Sequence, residues 1–429
     1  MRILLLNQCF YPDVMATAQH LTDLAKGLAT AGHEVTVVAS DRGYDNPSRR
    51  FPRRETWNGI KIIRIRSLAL GKQTRWRRGL NFASFLINCT SSLLRLPQFD
   101  VVVALTSPPL ISFLGALFVR LKGGQFFFWV MDLNPDEAIA AGWVKEQSLM
   151  AQFLRRLLQY SLLHAEKIIA LDSFMKRRIV AKGVPEESVA VLPPWAHNDT
   201  VRFDRKGREE FRRQHNLAES FVVMYAGNHS PCHPLDTLVE AAHRLSDRKE
   251  IMFCFVGGGS EQKKVKDFAV QHNLRNIVCL PYQPFLTLSD SLSAADLHTV
   301  VMGADFVGIV HPCKIYNILT IGSPFLYIGP SPSHVSEIAA QITSQGNVDY
   351  HGYSASDDDV ETVVKSILEE AKRQLNGEQH CLPEIANMFS KETLLPRMIR
   401  LLESRPMAEP QILTSAESAN YQTAGRQFR

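Results

Sequence analysis

The chain has 429 residues, 45% of them hydrophobic and 21% charged, with a formal net charge of +5. That length is too great for one ordinary core and points to two domains of soluble, globular composition. The charge is mild, and no zinc-finger spacing or interleaving of aromatic and basic residues is present, which argues against nucleic acid as a partner. The seven cysteines (Cys9, Cys89, Cys232, Cys254, Cys279, Cys313, Cys381) are scattered and form no C-x-x-C pair. They fit a reducing, cytoplasmic setting better than a disulfide framework.

The N-terminal MRILLLNQCFYP has too short an apolar run for a signal peptide and reads as a first strand, RILLLN (2–7). No stretch reaches the roughly 18 uninterrupted apolar residues of a membrane span. A helix with Leu and Ala at helical spacing follows over 18–32, then strands at HEVTVVAS (33–40) and GIKIIRIRS (59–67). Arginines crowd into RRFPRRE (49–55) and RWRR (75–78), beside an apolar helical run over 79–96. A basic stripe against such a helix is suited to an anionic membrane surface, and equally to a solvated loop beside a half-buried helix. FDVVVALTS (99–107), QFFFWVMDL (125–133), EKIIALD (166–172) and SVAVLPP (188–194) complete the strands of the first half. Continuous apolar strands separated by helices predict a parallel sheet covered on both faces.

Residues 193–215 interrupt this alternation with Pro, Asn, Asp and a dense charge run, and read as a hinge and a solvated helix. The pattern then restarts: strands at 220–228, 250–259, 276–282 and 296–301, helices over 234–246, 260–273 and 287–295, a strand at FLYIGP, and a helix over 359–375. The predicted class is α/β, two doubly wound halves over 1–196 and 197–386, with a helix over 387–405 and a disordered tail over 406–429. Ligands of such sheets bind beyond the carboxyl ends of the strands, here across one cleft.

Four stretches carry candidate chemistry. In GIVHPCKIYNILTIGSP, His311 and Lys314 lead into an apolar helix, whose free N–H groups suit a phosphate. In FVGGGSE, the glycines let backbone approach a phosphate or ribose, although a tight turn needs glycine anyway. The run matches neither G-x-G-x-x-G with its distant acid nor the P-loop, which disfavours a dinucleotide. YAGNHSPCHPLDTL offers Gly227, Asn228, His229 and Ser230 at a strand end; His233 suits capping or packing, and no carboxylates accompany it to suggest a metal. In MDLNPDEAIAAGW, Asp132 ends a very apolar strand, where a carboxylate needs solvent or a partner. The acidic SASDDDVE (354–361) reads as a helix start.

Together, YPDVMATAQHLTDLAKGLATAGHEVTVV, YAGN, VGGGSE, PYQP (281–284) before AADLH, and VGIVHPCKIYNILTIGSP resemble glycosyltransferases of the GT-B fold over roughly residues 1–400. The nearest likeness is to the retaining enzymes of family 4 that build bacterial surface polysaccharides and O-antigens. The resemblance implies two Rossmann-like domains facing across a cleft, with a C-terminal helix returning to the first. It implies a UDP- or GDP-sugar donor on the second half, a lipid-linked or glycan acceptor on the first, and no metal or other cofactor. By that resemblance Gly227, Asn228 and His229 approach the diphosphate, and Lys314 is its cation. Gly258 and Gly259 lie by the nucleotide, and the main chain at Tyr282 and Gln283 reads the base. Val310 and His311 abut the helix start, Asn317 lies near the ribose or sugar, and Thr17 and Ala18 face the phosphates across the cleft.

The sequence departs from the family at three places. Ile309 and Asn317 stand where a pair of glutamates eight residues apart is usual, Met131 precedes Asp132 where many members carry His, and HSPCH replaces an Arg and a Lys. Lys314 and a helix start can stabilise a departing diphosphate without metal, and Asp132 is the candidate for proton transfer. Two other readings share the fold: an inactive nucleotide-sugar-binding subunit, motivated by the missing glutamates, and a UDP-sugar 2-epimerase.

Overall fold

Strands that bury both faces need neighbours on both edges, and the chain satisfies this with two sheets. The structure, a computed structural model, describes residues 1–13, 15–43, 48–68, 70, 75–344, 350–376 and 384–403. The tail read over 406–429 and Cys381 lie outside the described residues, as do the side chains of Arg75, Trp76, Arg78 and Phe285.

The first sheet contains β1 (Arg2–Leu6), β2 (Glu34–Ser40), β3 (Arg54–Trp57), β4 (Ile60–Ile65), β5 (Val101–Ala104), β6 (Gln125–Trp129), β7 (Lys167–Ala170) and β8 (Val189–Val191). Its order is β3-β4-β2-β1-β5-β6-β7-β8. The second contains β9 (Phe221–Asn228), β10 (Ile251–Gly258), β11 (Ile277–Leu280), β12 (Leu297–Val301), β13 (Phe325–Ile328) and β14 (Gly352–Ala355), in the order β11-β10-β9-β12-β13-β14. In each, order reverses beside the first strand, which opens a crevice at the carboxyl ends. The central strands are wholly buried: Ile3 to Leu6, Val101 to Ala104 and Phe325 to Ile328 have no accessible surface.

Three expectations need correction. The first sheet is not all parallel, because β3 pairs antiparallel with β4 around a turn at Asn58 and Gly59, both at positive φ. The arginine-rich run therefore ends in an edge strand instead of a loop. The strand β14 and the helix His334–Ser344 had no counterpart in the sequence reading. The linker helix, Arg205–Gln214, is not simply solvated. Phe211 is buried, and Arg208 and Arg212 both donate to the buried carboxylate of Asp296, just before β12. Asp296 Oδ2 also accepts from the Val222 N–H at 2.7 Å, so this carboxylate ties the helix to the second sheet.

The acidic run 354–361 starts a helix as its composition suggests: Asp359 Oδ1 accepts from the Thr362 N–H at 2.9 Å. The C-terminal helix, Lys391–Leu402, lies against the first helix, Ala16–Thr30. A Cβ on Gly27 would stand 2.9 Å from Ile399 Cδ1, so a larger residue would require that side chain to shift. Asp23 of the first helix gathers the crossing: its carboxylate accepts from Lys391 Nζ at 2.7 Å and Trp195 Nε1 at 3.0 Å, and lies 3.6 Å from His197 Nδ1. Burial opposes its charge, but these partners hold the carboxyl well below the usual range.

Asp296→Ala leaves the buried Arg212 and the half-buried Arg208 with backbone carbonyl acceptors but without their counter-charge. It is expected to cost about 3–5 kcal/mol in urea unfolding of the full chain; a loss below about 1 kcal/mol, the scale of a surface ion pair, would show the knot to be dispensable.

Candidate functional site

The carboxyl ends of β9 and β10 run together for the full length of both strands, with Gly257 opposite Gly227 and Gly258 opposite Asn228. Their turns then press backbone on backbone. A Cβ on Gly257, at φ +135, would come within 2.0 Å of the Gly227 carbonyl oxygen. The turns are stitched by the His229 N–H donating to the Gly258 carbonyl at 2.9 Å and the Glu261 N–H to the His229 carbonyl at 3.0 Å. His229 is buried below them, with Nδ1 3.0 Å from the Gly227 carbonyl oxygen and Nε2 lacking a hydrogen-bond partner. Tyr282 closes one side, its hydroxyl donating to the Gly258 carbonyl at 3.2 Å while the residue is 57% exposed. Gln283 turns back to the Pro281 carbonyl.

Lys314 is the first residue of the helix Lys314–Thr320. Its Nζ lies 3.4 Å from the centre of the Tyr225 ring and 3.2 Å from where a Cβ on Gly227 would stand. It is shielded from solvent and has no hydrogen-bond partner. Burial pulls its pKa down to about 7. Its neighbours give way: burial, and then the Lys314 charge, hold His229 at about 4 and His233 at about 3, so both rings are neutral. His233 packs with Nδ1 2.7 Å from the Val301 carbonyl oxygen. The ensemble is one buried lysine among neutral rings, a glycine-lined approach and an imidazole nitrogen without a partner, an arrangement chemically able to receive an anion.

Thr17 and Ala18 occupy the first turn of the helix Ala16–Thr30, across in the first half, and Thr17 Oγ1 is buried without a partner. Asn317 spends its Oδ1 on the His197 N–H of the hinge at 3.1 Å, which sets the direction of this side chain. Val310 packs against the core, and Ile309 is buried with its carbonyl accepting from the Leu133 N–H at 2.9 Å. His311 is engaged on both sides by protein: Nδ1 lies 2.7 Å from Asp172 Oδ2, and Nε2 2.6 Å from the Tyr316 hydroxyl.

Asp132 follows β6 on the segment that meets Ile309. Burial and the neighbouring Glu137 push its carboxyl up to about 8, so it keeps its proton at neutral pH in the free protein. Glu137, raised in turn by burial, accepts from Asn134 Nδ2 at 2.8 Å. The sequence reading missed Glu137, Tyr225, Asp172 and His334. Tyr225 was within reach, because it alternates with Gly227 on one face of a strand already singled out.

Residues 16–195 match the glycosyl transferase 4-like domain, and residues 207–311 match glycosyl transferases group 1. Over 339 residues the chain is 25% identical to WcaI of Escherichia coli (strain K12), a candidate colanic acid biosynthesis glycosyl transferase, spanning 75% of this chain and 82% of that protein. It is 22% identical over 239 residues to WbjE of Pseudomonas aeruginosa, a candidate glycosyltransferase, spanning 56% of this chain and 60% of WbjE. Among solved structures, sucrose-phosphate synthase from Thermosynechococcus elongatus superposes with a TM-score of 0.72 at 14% identity, covering 94% of this chain and 98% of that one. Anabaena HepE in complex with UDP and glucose gives 0.69 at 14% identity, covering 94% and 100%. WaaG, a glycosyltransferase involved in lipopolysaccharide biosynthesis, gives 0.67 at 15% identity, covering 93% and 99%. With both halves matched in the order in which the two sheets follow one another, the chain belongs to the GT-B glycosyltransferases, a family 4-like domain followed by a group 1 domain.

Proposed function

We propose that the protein transfers a sugar from a UDP- or GDP-linked donor to a lipid-linked or other glycan acceptor, with retention at the anomeric carbon and without a metal, in surface polysaccharide assembly. The observation that carries this reading is Lys314, whose amino group is held out of water over the Tyr225 ring, with no hydrogen-bond acceptor, beside a glycine-lined turn. Such a group is costly unless an anion completes it. In transfer, the bond from the anomeric carbon to the diphosphate oxygen breaks and the departing nucleoside diphosphate takes the electron pair. Lys314 stabilises the charge that develops there. The acceptor oxygen bonds the same carbon, and its proton passes to the leaving phosphate. A uridine nucleotide has support in HepE, whose solved complexes hold UDP-glucose, UDP, or UDP with glucose. The polysaccharide setting has support in WcaI, whose name places it in colanic acid biosynthesis.

No described helix is long and apolar enough to cross a membrane. A peripheral contact is favoured by Leu80, Ile87 and Leu94, exposed on the helix Arg75–Leu94, and by the exposed Arg49, Arg50 and Arg53 before it in the chain. A binding-only subunit is the second reading. It is favoured by the two positions where the family carries glutamates, since Ile309 is buried and the Asn317 side chain is committed to the hinge.

Calorimetry of UDP, GDP and ADP against wild type and Lys314→Ala tests the reading. One nucleotide is expected to bind, and the substitution to weaken it by more than about tenfold, some 1.4 kcal/mol. Binding indifferent to Lys314 would remove the site.

Without ligand the lysine acts in the opposite sense. Lys314→Met deletes an unsatisfied buried donor and is expected to raise stability by about 1–3 kcal/mol at neutral pH, read in urea. The pH dependence has a fixed sign. Lys314 sits near 7 in the folded state against 10.5 for an unperturbed lysine, so the unfolded chain binds the extra proton between those values. Wild-type stability therefore gains a contribution that grows as pH rises from about 7 toward 10.5 and is absent below 7. The Lys314→Met protein lacks that contribution; identical pH profiles would contradict the assignment.

A further inference from the structure

The segment that delivers Lys314 is not held by its own half alone. From β12 onward, residues 304–311 lie between two pieces of the first half. The Leu133 N–H donates to the Ile309 carbonyl at 2.9 Å, and Arg178 Nε to the Val307 carbonyl at 2.6 Å. Gly308, at φ +70, comes so close to Phe174 that a Cβ would meet its carbonyl carbon at 2.7 Å. The segment then ends in a buried polar cluster. Asp172 caps the helix Ser173–Val180 through Oδ1, which accepts from the Met175 N–H at 2.7 Å. Its other oxygen faces the second half, 2.7 Å from His311 Nδ1 and 3.7 Å from His334 Nδ1.

The chemistry of this cluster fixes its roles. A carboxylate only accepts, so His311 Nδ1 carries the proton that Asp172 receives, and His311 Nε2 accepts from the Tyr316 hydroxyl at 2.6 Å. His334 stacks on His311, with ring centres 3.8 Å apart and planes 18° from parallel. Two histidines and an aspartate within 4.8 Å of one another are also a donor set for a divalent cation. The stack speaks against that use. Nearly parallel rings direct their in-plane lone pairs side by side, whereas one ion requires them to converge.

We infer that Asp172, acting from the first half through His311 and Tyr316, is a positioning residue for Lys314: the hydrogen-bonded chain latches the two halves together and holds the start of the helix Lys314–Thr320 in its phosphate-binding place. The inference rests on the reading of Lys314 as the diphosphate cation. Its logic is that of a population tax: a site competent only when latched loses apparent affinity in proportion to the unlatched fraction. It also explains a histidine three residues before Lys314 whose two nitrogens both face protein.

The test uses the full chain with three variants: Asp172→Ser, which keeps a cap for the helix but is too short to reach His311; His311→Phe, which keeps the stack; and the two combined. Small-angle scattering without ligand reads the latch, and UDP calorimetry reads the positioning. The expected result is a larger radius of gyration in each variant and UDP affinity lower by about fivefold or more. The double variant should be no worse than the poorer single one, as for residues acting as one unit. Should Asp172→Ser fail to fold, Tyr316→Phe removes only the hydroxyl on His311 Nε2 and should shift both readouts in the same direction. An unchanged shape overturns the latch, and expansion without loss of UDP affinity overturns the positioning role. Zinc at one per chain by elemental analysis, lost in His311→Phe, overturns it in favour of a metal site. If UDP binding in the wild type ignores Lys314, it is the diphosphate reading that falls, while scattering still decides the latch.

Discussion

The structure is organised around a charge that the protein does not neutralise. Lys314 Nζ has the face of Tyr225 and no hydrogen-bond acceptor. A cation over an aromatic ring recovers about 2 kcal/mol when desolvated, less than the loss of water costs. Other features of the site follow. Ile309 and Asn317 on either side of Lys314 are uncharged, the flanking His229 and His233 are held neutral, and glycines keep side chains away from the approach. Any acid placed there would form an ion pair and relieve the lysine, at the expense of its attraction for a ligand.

A second constraint is that Lys314 lies on a segment packed between two separately built sheets. Two groups of contacts connect the halves. One is the hinge, where Asp23 joins Trp195, His197 and Lys391, and where Asn317 accepts from the His197 N–H. The other is the rim, where Leu133, Arg178 and Asp172 meet residues 307 to 311. The hinge is anchored by the C-terminal helix and by stacking of His20 on His197. The rim adds a few directional bonds to buried apolar side chains, with Met131, Leu133, Phe306 and Ile309 in one core cluster.

Much of this was legible in the sequence, for a physical reason. Strands covered on both faces must be apolar throughout, so RILLL, VVVA and FLYI identify themselves and give the class and the order of the halves. RETW and GYSA, at the sheet edges, carry no such signature, and their pairing partners are what make them strands. The charged helix Arg205–Gln214 looked solvated because its arginines find their acceptor, Asp296, more than 80 residues away. Within the site, the glycine turns and Lys314 were readable because strand, glycine and helix start occur in one continuous stretch. Asp172 was not, since it lies 139 residues from His311 and already has a sufficient local explanation as a helix cap. Asn317 shows the same limit: its Oδ1 accepts from the His197 N–H of the hinge, 120 residues away, a contact its own motif does not show.

The most direct test is a crystal structure of the full chain with UDP. The account predicts a diphosphate oxygen within hydrogen-bonding distance of Lys314 Nζ, about 2.7–3.2 Å, bounded by Gly227 and Gly258, with His311 still joined to Asp172. A diphosphate bound elsewhere in the cleft, with Lys314 still packed on Tyr225 and no anion beside it, would contradict it.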